Sequence, residues 1–254
     1  MAETMPEQGT LIVTGGSRGI GAATCIGAAA RGYSVCVNYQ GRKDRADTVV
    51  ADIIEAGGRA IAIQADIGNR DEIPGLFDAA EAAFGPVKGL VNNAGITGPL
   101  GRLDSFSAAE IARTIEVNTT GAIICAAEAV RRMSTLHGGT GGGIVNVSSA
   151  AARIGGAREW VDYAASKGAI DTLTIGLAVE VATEGIRVNA VRPGLIDTEI
   201  HNAVGANNRM ETMAPNIPMQ RAASPEEVAN TILWLLSDEA SYVSGALLDV
   251  AGGR

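Results

Sequence analysis

The chain has 254 residues, 46% hydrophobic and 19% charged, enough apolar material for one large α/β domain with its own core. A net charge of −8, with no basic run or arginine-rich face, argues against a nucleic-acid partner. The polar, acidic first ten residues lack the pattern of a secretion signal, and no apolar stretch reaches the roughly 18 residues that span a bilayer, so a cytoplasmic protein with no membrane partner is expected.

Residues 10–14, Thr-Leu-Ile-Val-Thr, read as a short buried strand. Gly15-Gly-Ser17-Arg18-Gly19-Ile20-Gly21 follows at once and opens an alanine-rich helix to about residue 31. Strand, glycine turn and helix in that order form the setting of a dinucleotide loop. The glycines let the backbone come close to a pyrophosphate, and the helix N-terminus offers it unpaired N–H groups.

Residues 34–39 read as the second strand. An acidic residue at its end would hold the adenosine ribose hydroxyls and select NAD. The chain instead has Asn38-Tyr39-Gln40-Gly41-Arg42-Lys43. Arg18 in the loop and Arg42 past the strand therefore favour NADP, with NAD as the other candidate.

A helix over 45–57, a strand over 59–64 with Asp66 and Ile67 at its exit, a helix over 71–84 and a strand over 89–92 continue the alternation. Strands over 143–149, 186–191 and 245–251 and a helix over 225–236, capped by Ser224 with Pro225 in its first turn, complete it. No linker, repeat or low-complexity segment interrupts the order. The expected fold is a single-domain Rossmann fold spanning 1–254, a doubly wound, seven-stranded parallel sheet with helices on both faces.

Tyr163 and Lys167 are four residues apart, so on a helix they share one face. A phenol titrates near pH 10, and a neighbouring cation moves it toward the working range. The pair is a plausible proton-transfer device, though a packed ring beside a solvated amine has the same spacing. Cys25, Cys36 and Cys125 are scattered and odd in number, which fits free thiols in a reducing compartment. His137 and His201, the only histidines, sit in no ligand cluster, so no metal site and no Ser-His-Asp triad is expected.

With Asn92-Asn-Ala94-Gly95, Ser149, Tyr163-Ala-Ala-Ser-Lys167 and Pro193-Gly194 following the glycine loop in order, the whole chain resembles the classical short-chain dehydrogenase/reductase family. It is most similar in style to the glucose-dehydrogenase-like and 3-oxoacyl-reductase-like branch. The resemblance implies an NADP- or NAD-dependent oxidoreductase interconverting a small carbonyl compound and its secondary alcohol. It assigns Tyr163 as general acid/base, Lys167 as the group that lowers the tyrosine pKa and holds the nicotinamide ribose, and Ser149, rather than Ser148, as the polariser of the substrate oxygen. Asn118 matches the family asparagine that supports a water-linked proton path. The resemblance further places Asp66 and Ile67 at the adenine, and Ala94, Gly95 and Asn92 at the adenosine side, with Asn92 alternatively bracing the sheet. Ile196 and Thr198 would meet the nicotinamide amide and phosphate.

Residues 195–218 match the family's substrate lid, and the loop before Tyr163 is one residue longer than in many members. Arg153 and Glu159 would suit a sugar or polyol, whereas a 3-oxoacyl thioester is the alternative substrate. A non-catalytic dinucleotide-binding regulator is the reading from another class, and the presence of both Tyr163 and Lys167 disfavours it. Family members commonly form tetramers through two long helices, here near 108–133 and 163–184, and through the last strand, so a homo-oligomer is expected.

Overall fold

The computed structural model describes residues 8–198 and 212–254. Seven apolar runs, β1 (Gly9–Val13), β2 (Tyr33–Tyr39), β3 (Arg59–Gln64), β4 (Val87–Asn92), β5 (Gly142–Val147), β6 (Ile186–Pro193) and β7 (Leu247–Val250), pair in parallel in the order β3-β2-β1-β4-β5-β6-β7. The order reverses between β1 and β4. In an open sheet of this kind, that switch point leaves a crevice at the carboxyl ends of the strands.

Both faces of the sheet are covered, which is why the strands are nearly uninterrupted in hydrophobicity. Helices α1 (Gly19–Ala29) and α2 (Lys43–Glu55) lie on one face with a third, C-terminal helix over Pro225–Leu236. Helices α3 (Ile73–Phe84) and α5 (Ala122–Met133) lie on the other, with the long helix over Val161–Glu180. Side chains of a strand alternate between faces: Leu11 and Val13 join the first core, and Ile12 the second.

Three further points of chain order bear on the site. The segment read as one helix from 108 to 133 is α4 (Ala108–Ile115), a π turn (Glu116–Gly121) and then α5. Gly121 explains the break in part, since a Cβ there would fall 2.2 Å from the Ile67 carbonyl oxygen. Wide turns of this kind recur at functional sites. The stretch before Tyr163 carries a short helix, α6 (Ala151–Ile154), and the helix bearing Tyr163 is α7 (Val161–Glu180). The C-terminal helix, α8 (Pro225–Leu236), starts at the expected residue, with Ser224 and Glu227 closing a capping box. Of the lid expected at 195–218, residues 199–211, including His201, lie outside the described residues.

Candidate active site

The carboxyl ends of β1, β2, β4, β5 and β6 open onto a cleft of about 430 Å³. Its floor at one end is the glycine loop. Asn38 and Asn93 strap that loop to its neighbours. The Asn38 carboxamide oxygen accepts from the Gly15 N–H at 3.2 Å, and its Nδ2 donates to the Ala65 carbonyl at 3.0 Å. Asn93 Nδ2 donates to the carbonyls of Thr14 (2.9 Å) and Gly15 (3.1 Å). The Thr14 hydroxyl accepts from the N–H groups of Asn93 and Ala94 at 3.0 and 3.1 Å. The turn is thus set before any ligand arrives.

Across the cleft, Thr198 faces Gly19, whose added Cβ would meet the Thr198 methyl at 3.2 Å. Gly15 is in the left-handed region at φ +64°, and a Cβ on it would lie 3.0 Å from Ala94 Cα. At both positions a side chain would press on the facing residue, so glycine keeps the loop close-packed with its N–H groups free to meet a pyrophosphate. The donor set at the α1 N-terminus fits that group.

Most of the expected cofactor residues line this cleft: Gly15, Ser17, Arg18, Gly19, Ile20, Asn38, Tyr39, Gln40, Arg42, Asp66, Ile67, Ala94, Gly95, Pro193, Gly194, Ile196 and Thr198. Gly21 and Asn92 do not. Gly21 packs beneath the loop, 2.3 Å from the Gly15 carbonyl oxygen when given a Cβ. Asn92 braces the sheet: its Nδ2 donates to Asn146 Oδ1 and to the Ala122 carbonyl, both at 3.0 Å, and Asn146 passes a 2.9 Å bond to Thr174. The residue beside it, Asn93, holds the loop instead, because successive strand-end side chains point opposite ways. Asn92→Ala is therefore expected to lower unfolding free energy by about 1–3 kcal/mol, the usual cost of leaving a buried polar partner unpaired, with dinucleotide affinity unchanged. Chemical denaturation and a binding titration check both halves.

Two expected contacts are already engaged within the protein. Asp66 Oδ2 accepts from Arg113 Nη2 at 2.8 Å and from Gln40 Nε2 at 3.0 Å, and Asp66 Oδ1 accepts from the Gly68 N–H. Arg42 grips Asp44 with two bonds of 2.9 and 2.7 Å, which holds the Asp44 carboxyl down at about 2.

At the other end of the cleft, Ser149 follows β5 and its oxygen accepts the Ala151 N–H at 3.1 Å. Ser149 also faces the cleft beside Tyr163 and draws the phenol pKa down, against the larger effect of burial. The preceding Ser148 is buried and donates to the Lys167 carbonyl at 3.1 Å, so it fastens α7 to β5. Tyr163 and Lys167 do share one face of α7, with the ammonium 5.7 Å from the ring centroid.

The expected electrostatics differ in one respect. Burial raises the Tyr163 phenol above its ordinary range, and Ser149 lowers it in part. Lys167 Nζ lies over the Tyr163 ring and donates to the Val147 carbonyl at 2.7 Å. Burial pushes Lys167 down to about 8, opposed by the charge of Asp171.

Asn118 lies in the π turn, and its side chain is tied to the loop after β4. Its Oδ1 accepts the Ile96 N–H and its Nδ2 donates to the Ile96 carbonyl, both at 2.8 Å, with a further bond to Ser166 at 3.1 Å. It sits behind the cleft wall. A Cβ on Gly95 would be 3.3 Å from Asn118 Oδ1 and 3.4 Å from Lys167 Nζ, so these three residues meet at one point. Sequence reading missed Asn93, Thr97 and Ile154 as wall residues, although the doubled asparagine at 92–93 was a visible signal.

A family model described as enoyl-(acyl carrier protein) reductase matches residues 15–254. An uncharacterized oxidoreductase of Escherichia coli (strain K12), YgfF, is 51% identical over 96% of this chain and 98% of its own length. The chain belongs to the short-chain dehydrogenase/reductase family. It is an oxidoreductase with the family's Rossmann fold. A cis-4-hydroxycyclohexanecarboxylate dehydrogenase of Sinomonas cyclohexanicum is 41% identical, covering 100% of this chain and 98% of that protein. A crystal structure of a short-chain dehydrogenase from Burkholderia cenocepacia J2315 in complex with NADP superposes with a TM-score of 0.89 at 36% identity, over 97% of this chain and 98% of that one.

Proposed function

We propose that this protein transfers hydride between NADP and a small secondary alcohol or ketone, with Tyr163 as general acid/base. The observation that carries the reading is that Ser149, Tyr163 and Lys167 line one end of a cleft whose other end is a preformed phosphate cradle. The bound dinucleotide would supply or accept the hydride. The glycine loop and the α1 N-terminus would hold its pyrophosphate, and Lys167 its nicotinamide ribose.

The chain's own residues do the remaining work. The Ser149 hydroxyl orients the reacting oxygen and stabilises charge on it. The Tyr163 phenol gives that oxygen a proton in reduction and takes one in oxidation. Ile96, Ile154, Trp160 and Leu195 line the same cleft as the phenol, and their apolar bulk limits water in it. The Trp160 indole N–H donates to the Gly98 carbonyl at 3.0 Å and fixes that wall.

Support for NADP comes from Arg18 and Arg42 at the rim and from the absence of an acidic residue at the end of β2. Arg42→Ala is expected to weaken NADPH binding about tenfold, ~1.4 kcal/mol, and leave NADH unchanged. A wild-type protein that binds NADH more tightly than NADPH would refute this preference.

The substrate lies among small polyols or sugars, keto-esters, alicyclic hydroxy acids and 3-oxoacyl thioesters. A screen of purified protein against these classes, read by nicotinamide absorbance, tests the reading. No turnover with any carbonyl or alcohol would leave only a dinucleotide-binding protein. A homotetramer is supported by apolar side chains exposed on α5 and α7, namely Ile123, Ile175 and Val179, and by Leu248 on β7. A cytoplasmic location is supported by three buried free cysteines, Cys25, Cys36 and Cys125. Among the described residues, no helix is long and apolar enough to cross a membrane.

A further inference from the structure

Asp171 lies one turn beyond Lys167 on α7, where residues i and i+4 share a face. It is buried, 8% exposed. Its Oδ2 accepts two bonds from the Arg192 guanidinium, from Nε at 3.0 Å and Nη2 at 2.8 Å. Its Oδ1 is buried without a hydrogen-bond partner among the described residues. Arg192 aims both Nε and Nη2 at one oxygen, so the carboxylate stays only half satisfied. Burying a pair in that way is a poor stabilising device.

Arg192 belongs to β6, and the network continues from it. Its Nη1 lies 3.9 Å from Asp249 of β7, and Asp249 also holds Arg153 of α6 at 3.3 Å. The pair thus connects the helix that carries Tyr163 and Lys167 to the last two strands and to the short helix at the cleft wall.

We infer that Asp171 and Arg192 are a positioning pair for the reaction: Asp171 holds Lys167 in its charged form, and Arg192 limits how strongly that carboxylate acts. The inference rests on the role proposed above for Lys167. Other groups around the ammonium do not compete. From its own helix the phenol of Tyr163 faces it, from β5 the Val147 carbonyl, and from the π turn the uncharged Asn118. Asp162, in the first turn of α7, packs toward Gly98 and Thr114. Asp171 is the carboxylate whose charge acts on Lys167, opposing the effect of burial.

The two members have opposite signs, and so do their deletions. Asp171→Asn removes the carboxylate and leaves Arg192 uncompensated, so Lys167 loses its proton at lower pH than in the parent. Arg192→Gln leaves Asp171 uncompensated, so Lys167 keeps its proton to higher pH. A defect of packing alone has no reason to move a titration in both directions.

The test uses the full chain and two readouts. One is the titration of Lys167 Nζ by NMR in lysine-labelled, cofactor-free protein. The other is the pH profile of ketone reduction. We expect the Nζ titration to move by about half a pH unit or more, downward in Asp171→Asn and upward in Arg192→Gln, with the alkaline limb of turnover following. Titrations that stay in place, or that move in the same direction in both variants, overturn the inference. If the Nζ titration moves as expected but the turnover profile does not, the pair's hold on Lys167 stands and the role of Lys167 in turnover falls. If Asp171→Asn does not fold, Arg192→Gln decides alone: an upward shift supports the pair, and no shift or a downward one overturns it.

Discussion

Tyr163→Phe is expected to lower kcat by about 10³-fold or more while leaving NADPH affinity within about twofold. A positioned acid/base contributes on the order of 10²–10⁴ in rate, equivalent to about 3–5 kcal/mol of barrier. The phenol oxygen is the part removed, and its aromatic ring keeps its packing on α7. The glycine loop, at the far end of the cleft, is untouched. Single-turnover kinetics with fluorescence titration of NADPH separates the two quantities. Turnover that survives the substitution would move the proton transfer away from Tyr163 altogether.

The same geometry sets a direction for pH. Burial raises the phenol, so its acid form is present throughout the neutral range. Reduction, which draws on that form, is then expected to be flat through neutral pH and to fall as pH rises past about 8, where Lys167 loses its charge. Oxidation needs the base form of the phenol and is expected to climb with pH over the same range. Opposed slopes for the two directions, measured on one alcohol/ketone pair, would fit a fall set by Lys167 in reduction and a rise set by the phenol in oxidation.

The strands and the cradle were legible because each is a local pattern. A β-branched apolar run has one use in a doubly wound sheet, and glycines between such a run and a helix leave little choice of turn. The boundaries of α8 were legible for the same reason, since its capping box lies within four residues. What escaped the sequence was decided by distant partners. Asn92 and Asn93 are alike in type, and only the sheet tells which amide turns inward to Asn146 and which reaches back to Thr14. The π turn at Asn118 ends at Gly121, which packs so close to the Ile67 backbone that a Cβ has no room, a contact across more than fifty residues of chain. Asp66 lines the cleft where an adenine contact was read, and its bond to Arg113 of α4, 47 residues on, is a partner that no local pattern marks. The Asp171–Arg192 pair belongs to this class too. Its members are 21 residues apart on different elements, and nothing in either local stretch marks them.

Gly21→Ala is expected to raise the Kd for NADPH by tenfold or more, although Gly21 does not line the cleft. A Cβ at that position would sit 2.3 Å from the Gly15 carbonyl oxygen and 2.6 Å from Asn93 Nδ2, distances that real Cβ atoms do not adopt. One contact is backbone and cannot swing away. The other is the amide that ties Asn93 to the Thr14 and Gly15 carbonyls, so making room for the methyl undoes the strap that sets the loop. Overpacking of this kind costs about 1–3 kcal/mol in stability, and the loop that shifts is the one that must meet a pyrophosphate. Gly75→Ala provides the contrast. It lies in α3 with nothing within 4 Å of an added Cβ, and there the substitution is expected to stabilise the protein by about 0.4–1 kcal/mol without touching affinity. Denaturation and NADPH titration of both variants distinguish a loop that is rigid by construction from one that forms around its ligand. In the second case Gly21→Ala would bind NADPH as tightly as the parent.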